Sequence, residues 1–154
     1  MTPERFLQQI RAITDAIGDQ PLDAQLQTFL MERFPPGAEG FEAIAQSCLE
    51  AVAAGWMCER EHGGIRYGRV LQPEPATRGF SVDVVDMNEV VGPRHAHPNG
   101  EIDMIMPLEG DARFDGQGRG WLVYGPGSVH RPTVSGGRAL VLYLLPEGAI
   151  DFIR

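Results

Sequence analysis

The sequence predicts a mainly β protein, a small β-barrel or sandwich preceded by an N-terminal helical segment. Three observations carry this. Apolar residues recur at helical spacing through residues 1–57, which read as a helical extension. From Ile65 onward the pattern changes to short alternating runs separated by Gly and Pro, as expected of residues 58–154 forming the barrel. Three histidines and a glutamate lie on segments far apart in sequence, and inward-facing barrel strands can gather such residues.

In the helical part, residues 3–17 place Phe6, Ile10, Ile13 and Ile17 on one stripe. Thr2 suits the N-cap, Pro3 the first turn and Gly18 the stop. Residues 22–34 align Leu22, Leu26, Phe29, Leu30 and Phe34 before Pro35-Pro36-Gly37 breaks the pattern. Residues 39–55 align Phe41, Ile44, Ala45, Cys48, Leu49 and Val52, with Gly55 at the end. Helices this short need tertiary packing to persist, against the barrel or a second subunit.

In the β part, Ile65–Leu71 and Phe80–Val85 alternate, and residues 139–145 form a continuous apolar run expected of a well-buried strand. Residues 72–78, with two prolines, read as a linker or mobile loop. Many short strands at this spacing suit a barrel or sandwich.

Composition narrows the function. The chain has 154 residues, 43% of them hydrophobic, enough for one domain with a real core. Its formal charge of −8 and lack of a basic cluster argue against nucleic acid. No apolar run approaches the ~20 residues of a membrane span. The N-terminus lacks the pattern of a secretory signal, so a cytoplasmic protein is expected. Cys48 and Cys58 match no zinc or disulfide pattern and read as reduced, buried residues. His62, in a polar stretch, reads as exposed.

The chain has four histidines, and three of them belong to His95-Ala-His97-Pro-Asn-Gly-Glu101 and His130. Along an extended segment, His95 and His97 project to one side. Pro98-Asn99-Gly100 reverses the chain, and Glu101 then opens the strand 101–108. His130 follows the glycine-rich turn Tyr124-Gly-Pro-Gly-Ser-Val. Three imidazoles and one carboxylate are the ligand set of a mononuclear site for one divalent transition metal. Iron, manganese, zinc and nickel all suit it.

His-x-His-x3-Glu followed by Gly-x2-His resembles the two metal-binding motifs of the cupin superfamily, over residues 90–134. Gly92, Gly110, Gly120, Pro126 and Gly127 fit the pattern. The proline spacing is shifted, and Val134 stands where an asparagine is usual. The runs Arg94–Asp103, Gly120–His130 and Ala139–Gly148 are similar to the 4-hydroxylaminobenzoate lyase family. The resemblance implies a cupin jelly roll, commonly dimeric, hence a homodimer. It also implies conversion of 4-hydroxylaminobenzoate and water to 3,4-dihydroxybenzoate and ammonia.

That reaction is redox-neutral overall, in keeping with a chain that has no dinucleotide fingerprint or phosphate loop. His95, Glu101 and His130 are the expected catalytic residues, and His95, His97, Glu101 and His130 the expected ligands. Glu101 is either a ligand or, without metal, a general acid/base. A small aromatic carboxylate substrate needs a cation and flat walls. Arg69, Arg94 and Arg113 are candidates for the first. Arg94, next to His95, is expected to point away from the metal. Tyr67, Trp121, Tyr124 and Tyr143 are candidates for the walls. Asp103 shares the parity of Glu101 and could hydrogen-bond a ligand histidine. Two other readings remain: a dioxygenase on an aromatic acid, and a non-catalytic binder of small carboxylates.

Overall fold

The computed structural model describes residues 2–153. Three helices come first: α1 (Pro3–Ile17), α2 (Ala24–Arg33) and α3 (Glu39–Ala54). Their ends follow local chemistry. Thr2 Oγ1 accepts from Arg5 N, and Gly18 at φ 56° ends α1. Asp23 Oδ1 accepts from Leu26 N at 2.9 Å, which starts α2 two residues later than its apolar stripe. Gly55, left-handed, ends α3.

The strands are β1 (Arg60–His62), β2 (Ile65–Leu71), β3 (Phe80–Val91), β4 (His95–His97), β5 (Glu101–Phe114), β6 (Gly120–Tyr124), β7 (Ser128–His130), β8 (Thr133–Pro146) and β9 (Asp151–Phe152). All pair antiparallel, in a six-stranded sheet of order β1-β2-β3-β8-β5-β6 and a three-stranded sheet of order β7-β4-β9. The mainly β fold with N-terminal helices matches the expectation.

The six-stranded sheet is apolar on both faces. Val82, Val84, Ile102, Met104, Leu140, Leu142 and Leu144 pack with Phe6, Ile10, Leu30 and Phe41 of the helices. Val85, Met87, Ile105, Val141, Tyr143 and Leu145 form an inner core on the opposite face. Side-chain alternation along β8 therefore buries every residue from 139 to 145, which explains the continuous apolar run. The small sheet closes over the inner face.

Two expectations are corrected here. Residues 72–78 are an ordered turn, not a linker. Pro75–Thr77 forms a single 3-10 turn against α1, Gly79 N donates to Glu74 O, and buried Thr77 donates to Phe80 O at 2.7 Å. The prolines that suggested looseness restrict the backbone instead. Trp121, a candidate wall for a substrate ring, faces the helices. It pairs with Met104, its ring lies 5.9 Å from that of Phe41, and its Nε1 donates to Phe34 O.

Candidate metal centre

In β4, Ala96 separates two inward-facing histidines, and both imidazoles are buried. The turn after it is held by Gly100 N donating to His97 O. Gly100 has φ 89°, and a Cβ there would stand 2.8 Å from Tyr124 O and from Leu22 Cδ2. Only glycine serves both demands, and the turn delivers Glu101, fully buried, as the first residue of β5. The β4–β7 register sets His130 directly opposite His95. Residues opposite one another share a face, so the third imidazole joins the first two.

Each imidazole is tied outward through Nδ1. His95 Nδ1 lies 3.3 Å from Pro93 O, His97 Nδ1 2.8 Å from Ser128 Oγ, and His130 Nδ1 2.6 Å from Asp115 Oδ2. With Nδ1–H donating to these acceptors, the Nε2 lone pairs turn inward. His95 Nε2 is 3.6 Å and His97 Nε2 3.2 Å from Glu101 Oε1, and His130 Nε2 is 3.5 Å from Oε2. The Nε2 atoms of His95 and His130 are 3.0 Å apart.

That geometry fits a cation. Atoms bonded at about 2.0–2.2 Å to one ion stand roughly 3 Å apart at right angles and no more than about 4.4 Å across it. The four donor atoms here all lie within 4.8 Å of one another. Among the described residues, His97 Nε2 and both Glu101 oxygens are buried with no hydrogen-bond partner. Facing lone pairs and a buried carboxylate repel and are costly unless a positive charge joins them. The residues present thus meet the needs of a divalent ion with one carboxylate and three neutral imidazoles.

Behind Glu101 lies Asp103, on the same face of β5 and fully buried. Burial pushes the Asp103 carboxyl well above its ordinary value, and the Glu101 charge adds to this. Burial acts the same way on Glu101, but the facing His95 and His97 imidazoles and the neighbouring Asp103 carboxyl outweigh it and hold that carboxyl at about 2. The two shifts run in opposite directions, with Glu101 held ionised and Asp103 pushed toward its protonated form. Both Asp103 oxygens are buried without a hydrogen-bond partner among the described residues, so the contact expected to a ligand histidine is not made.

Two orienting residues were not foreseen. Ser128 holds His97. Asp115, at φ 49° in the turn between β5 and β6, accepts from His130, from Tyr124 Oη at 2.6 Å and from Thr133 N at 2.9 Å. Burial alone would raise the Asp115 carboxyl, but these donors bring it below the ordinary value. Burial and Asp115 push the Tyr124 phenol up, so it stays protonated. The only signal in the sequence was Asp115-Gly116, which reads equally as a plain turn.

Of the candidate walls, Tyr124 reaches the cluster. Its ring lies 4.5 Å from that of His130 and 5.4 Å from that of His97. Tyr143 lies 6.5 Å from His95. Tyr67, 37% exposed on β2, is on the inner-facing row, opposite Val85 of β3. The arginines do not converge on the centre. Arg94 is exposed beside β4. Arg113 is exposed, 3.8 Å from Asp111. Arg69 is engaged bidentately by Asp83, at 2.9 and 3.1 Å, and also donates to Gly148 O. Across the sheet the register runs Arg69, Asp83, Tyr143, Asp103, so Arg69 alone of the three shares the inner row.

Cys48 and Cys58 are buried free thiols. Desolvation raises both, Cys58 to about 12, which leaves no thiolate for nucleophilic work. His62 is exposed on β1. Among the described residues no helix is long and apolar enough to cross a membrane.

Comparison with known proteins places this centre in context. Residues 8–152 match the family described as 4-hydroxylaminobenzoate lyase. A 4-hydroxylaminobenzoate lyase of Pseudomonas putida is 31% identical over 153 residues, covering 88% of this chain and 87% of the relative. One from Nocardioides sp. (strain LMS-CY) is 31% identical over 160 residues, covering 98% and 95%. A cupin protein of Ralstonia eutropha JMP134 is similar over 60% of this chain and 61% of its own, with 14% identity and a TM-score of 0.44. The chain belongs to the 4-hydroxylaminobenzoate lyase family, and it is an enzyme of the lyase class.

Proposed function

We propose that the protein is a metal-dependent lyase converting 4-hydroxylaminobenzoate, or a similar aromatic hydroxylamine, with water to 3,4-dihydroxybenzoate and ammonia. The observation that carries this is the convergence of three Nε2 atoms and the Glu101 carboxylate, each imidazole fixed by an outward Nδ1 contact. Family membership supplies the substrate class.

The balance of the reaction states what the site must do. The N–O bond, the ring C–N bond and one ring C–H bond break, two ring C–O bonds form, nitrogen takes up protons to leave as ammonia, and two electrons pass from the ring to nitrogen. No external oxidant or reductant enters. His95, His97, Glu101 and His130 would hold the ion, which when bound supplies Lewis acidity to a substrate oxygen. Glu101, ionised, leaves a divalent ion with net charge near +1. Asp103, buried on the same face of β5, is pushed toward its protonated form and so adds no second negative charge beside Glu101. Asp115 fixes His130 and the Tyr124 hydroxyl together, which places a phenolic ring beside the cluster. Phe114, Ile105 and Val141 exclude water from behind.

Residues 1–57 are best read as an extension packed on the barrel of residues 58–154, in a cytoplasmic homodimer. The deciding experiment is ammonia release from 4-hydroxylaminobenzoate under argon, with metal analysis of the wild type and His95→Ala. About one equivalent of iron, manganese, zinc or nickel, lost with activity in the variant, is the expected result. Turnover that requires O₂ would replace the lyase reading with a dioxygenase, and full activity in metal-free protein would remove the ion.

A further inference from the structure

Phe152 combines an inward address with an exposed ring. In β9 it sits directly opposite His95 of β4, so the two side chains share the inner face of the small sheet. Their ring centroids are 5.7 Å apart, with planes at 69°. His95 is 2% exposed, yet Phe152 is 63% exposed. A single exposed apolar residue is ordinary. One whose register sets it opposite a candidate ligand histidine while most of its surface meets solvent lies between that buried imidazole and the outside.

The segment that carries it is fastened at both ends. Ile153 N donates to Arg94 O at 2.9 Å. Gly148 O accepts from Arg69 Nη2, and Ile150 packs on the inner core. Arg69 thus has a structural partner in the very segment that bears Phe152. The ring is therefore held beside the metal centre and not left on a free end.

We infer that Phe152 is a specificity-determining residue, whose exposed face stacks against the aromatic ring of the substrate as it enters beside His95. The inference rests on the proposed lyase reading for the identity of the substrate. An aromatic face suits a benzoate ring through edge or offset stacking. It makes no bond to the ion and takes no proton, so it acts on binding and not on the chemical step.

The test uses the metal-loaded enzyme with 4-aminobenzoate, an unreactive analogue that keeps ring, carboxylate and nitrogen. In Phe152→Ala, the Kd for 4-aminobenzoate and the KM for substrate are expected to rise about tenfold, with kcat within about twofold of wild type. Metal content should be unchanged, and Phe152→Tyr should restore both constants. An unchanged Kd and KM in Phe152→Ala overturns the proposal. So does an unchanged Kd accompanied by a shift in oligomeric state, which would make Phe152 a contact between copies. If the wild type releases no ammonia yet binds 4-aminobenzoate more tightly than Phe152→Ala, the ring wall stands and the lyase reading falls. If the wild type binds no aromatic acid, both fall.

Discussion

At the scale of single residues, the candidate centre rests on side chains that orient its clustered imidazoles from outside. Asp115 joins His130, Tyr124 and the β8 backbone in one carboxylate. Asp115→Asn keeps the shape and removes the charge that favours an imidazole donor. Metal affinity should fall by about 10–100-fold, read by competition with a chelating dye, with the fold intact by circular dichroism. Equal affinity in the two proteins would show that Asp115 is only a turn residue.

Asp103 makes a different prediction, about stability of chelator-treated protein. Its folded-state value is raised, so its contribution is fully favourable below its ordinary 3.8 and is lost as pH rises above that. Glu101 is depressed, so its contribution is present above its ordinary 4.5 and lost as pH falls toward about 2. Asp103→Asn removes the first effect and keeps the size and shape of the side chain. It should raise Tm at pH 7, where each 1 kcal/mol is worth about 2–4 °C in a chain of this size. The gain should shrink as pH falls toward 4. A Tm that drops at pH 7 would mean Asp103 is not held protonated.

The cluster of His95, His97 and Glu101 was legible in the sequence because His-x-His, a turn and Glu encode their own geometry. The residues that orient them were not, since Asp115 and Ser128 reach the histidines only through strand pairing. Trp121 and Tyr124 show how far parity goes. They are three apart on β6, so alternation sends them to opposite faces, and pairing of Tyr124 with Glu101 decides which one faces the cluster.

At the scale of elements, caps and turns were the readable part. α1 and β2 have the expected bounds because Thr2, Gly18 and the flanking glycines punctuate them. Strand β5 runs on to Phe114, beyond the expected end at 108, and bulges along its pairing with β8. Register shifts between Pro107 and Glu109 and between Gly110 and Arg113 interrupt the alternation; Ala112 and Phe114 join the inner core and Arg113 is exposed. Counting by twos from Glu101 would have pointed Arg113 at the centre, and only the shifts say otherwise.

The β4–β5 turn gives the prediction at this scale. Gly100→Ala forces a side chain onto Tyr124 O and Leu22 at a positive φ. The strain should displace Glu101 as well as cost stability. A Tm loss corresponding to about 1–3 kcal/mol is expected, with metal affinity reduced in the same variant. Gly127→Ala, also at positive φ but with open space around its Cβ, should lose stability and retain metal. If both variants hold metal equally well, the turn does not place Glu101.

At the scale of the whole molecule, the centre straddles two sheets. His95, His97 and His130 belong to the three-stranded sheet, and Glu101 belongs to the six-stranded one. The large sheet is packed on both faces by the helices and the inner core, so it has its own source of stability. The small sheet has strands of only two or three residues and few ladder bonds. An ion held by both sheets would therefore fasten the weaker part to the stronger. Saturating metal at about 100 times Kd adds roughly 2.7 kcal/mol to the folded state. Chelation should lower Tm by about 5–11 °C on that basis. Amide exchange should quicken in β4, β7 and β9 while β3, β5 and β8 stay protected. His130→Ala should exchange like the chelated protein whether or not metal is added. Uniform quickening across both sheets would instead make the ion part of the global fold, and no change in either measurement would deny it a structural role.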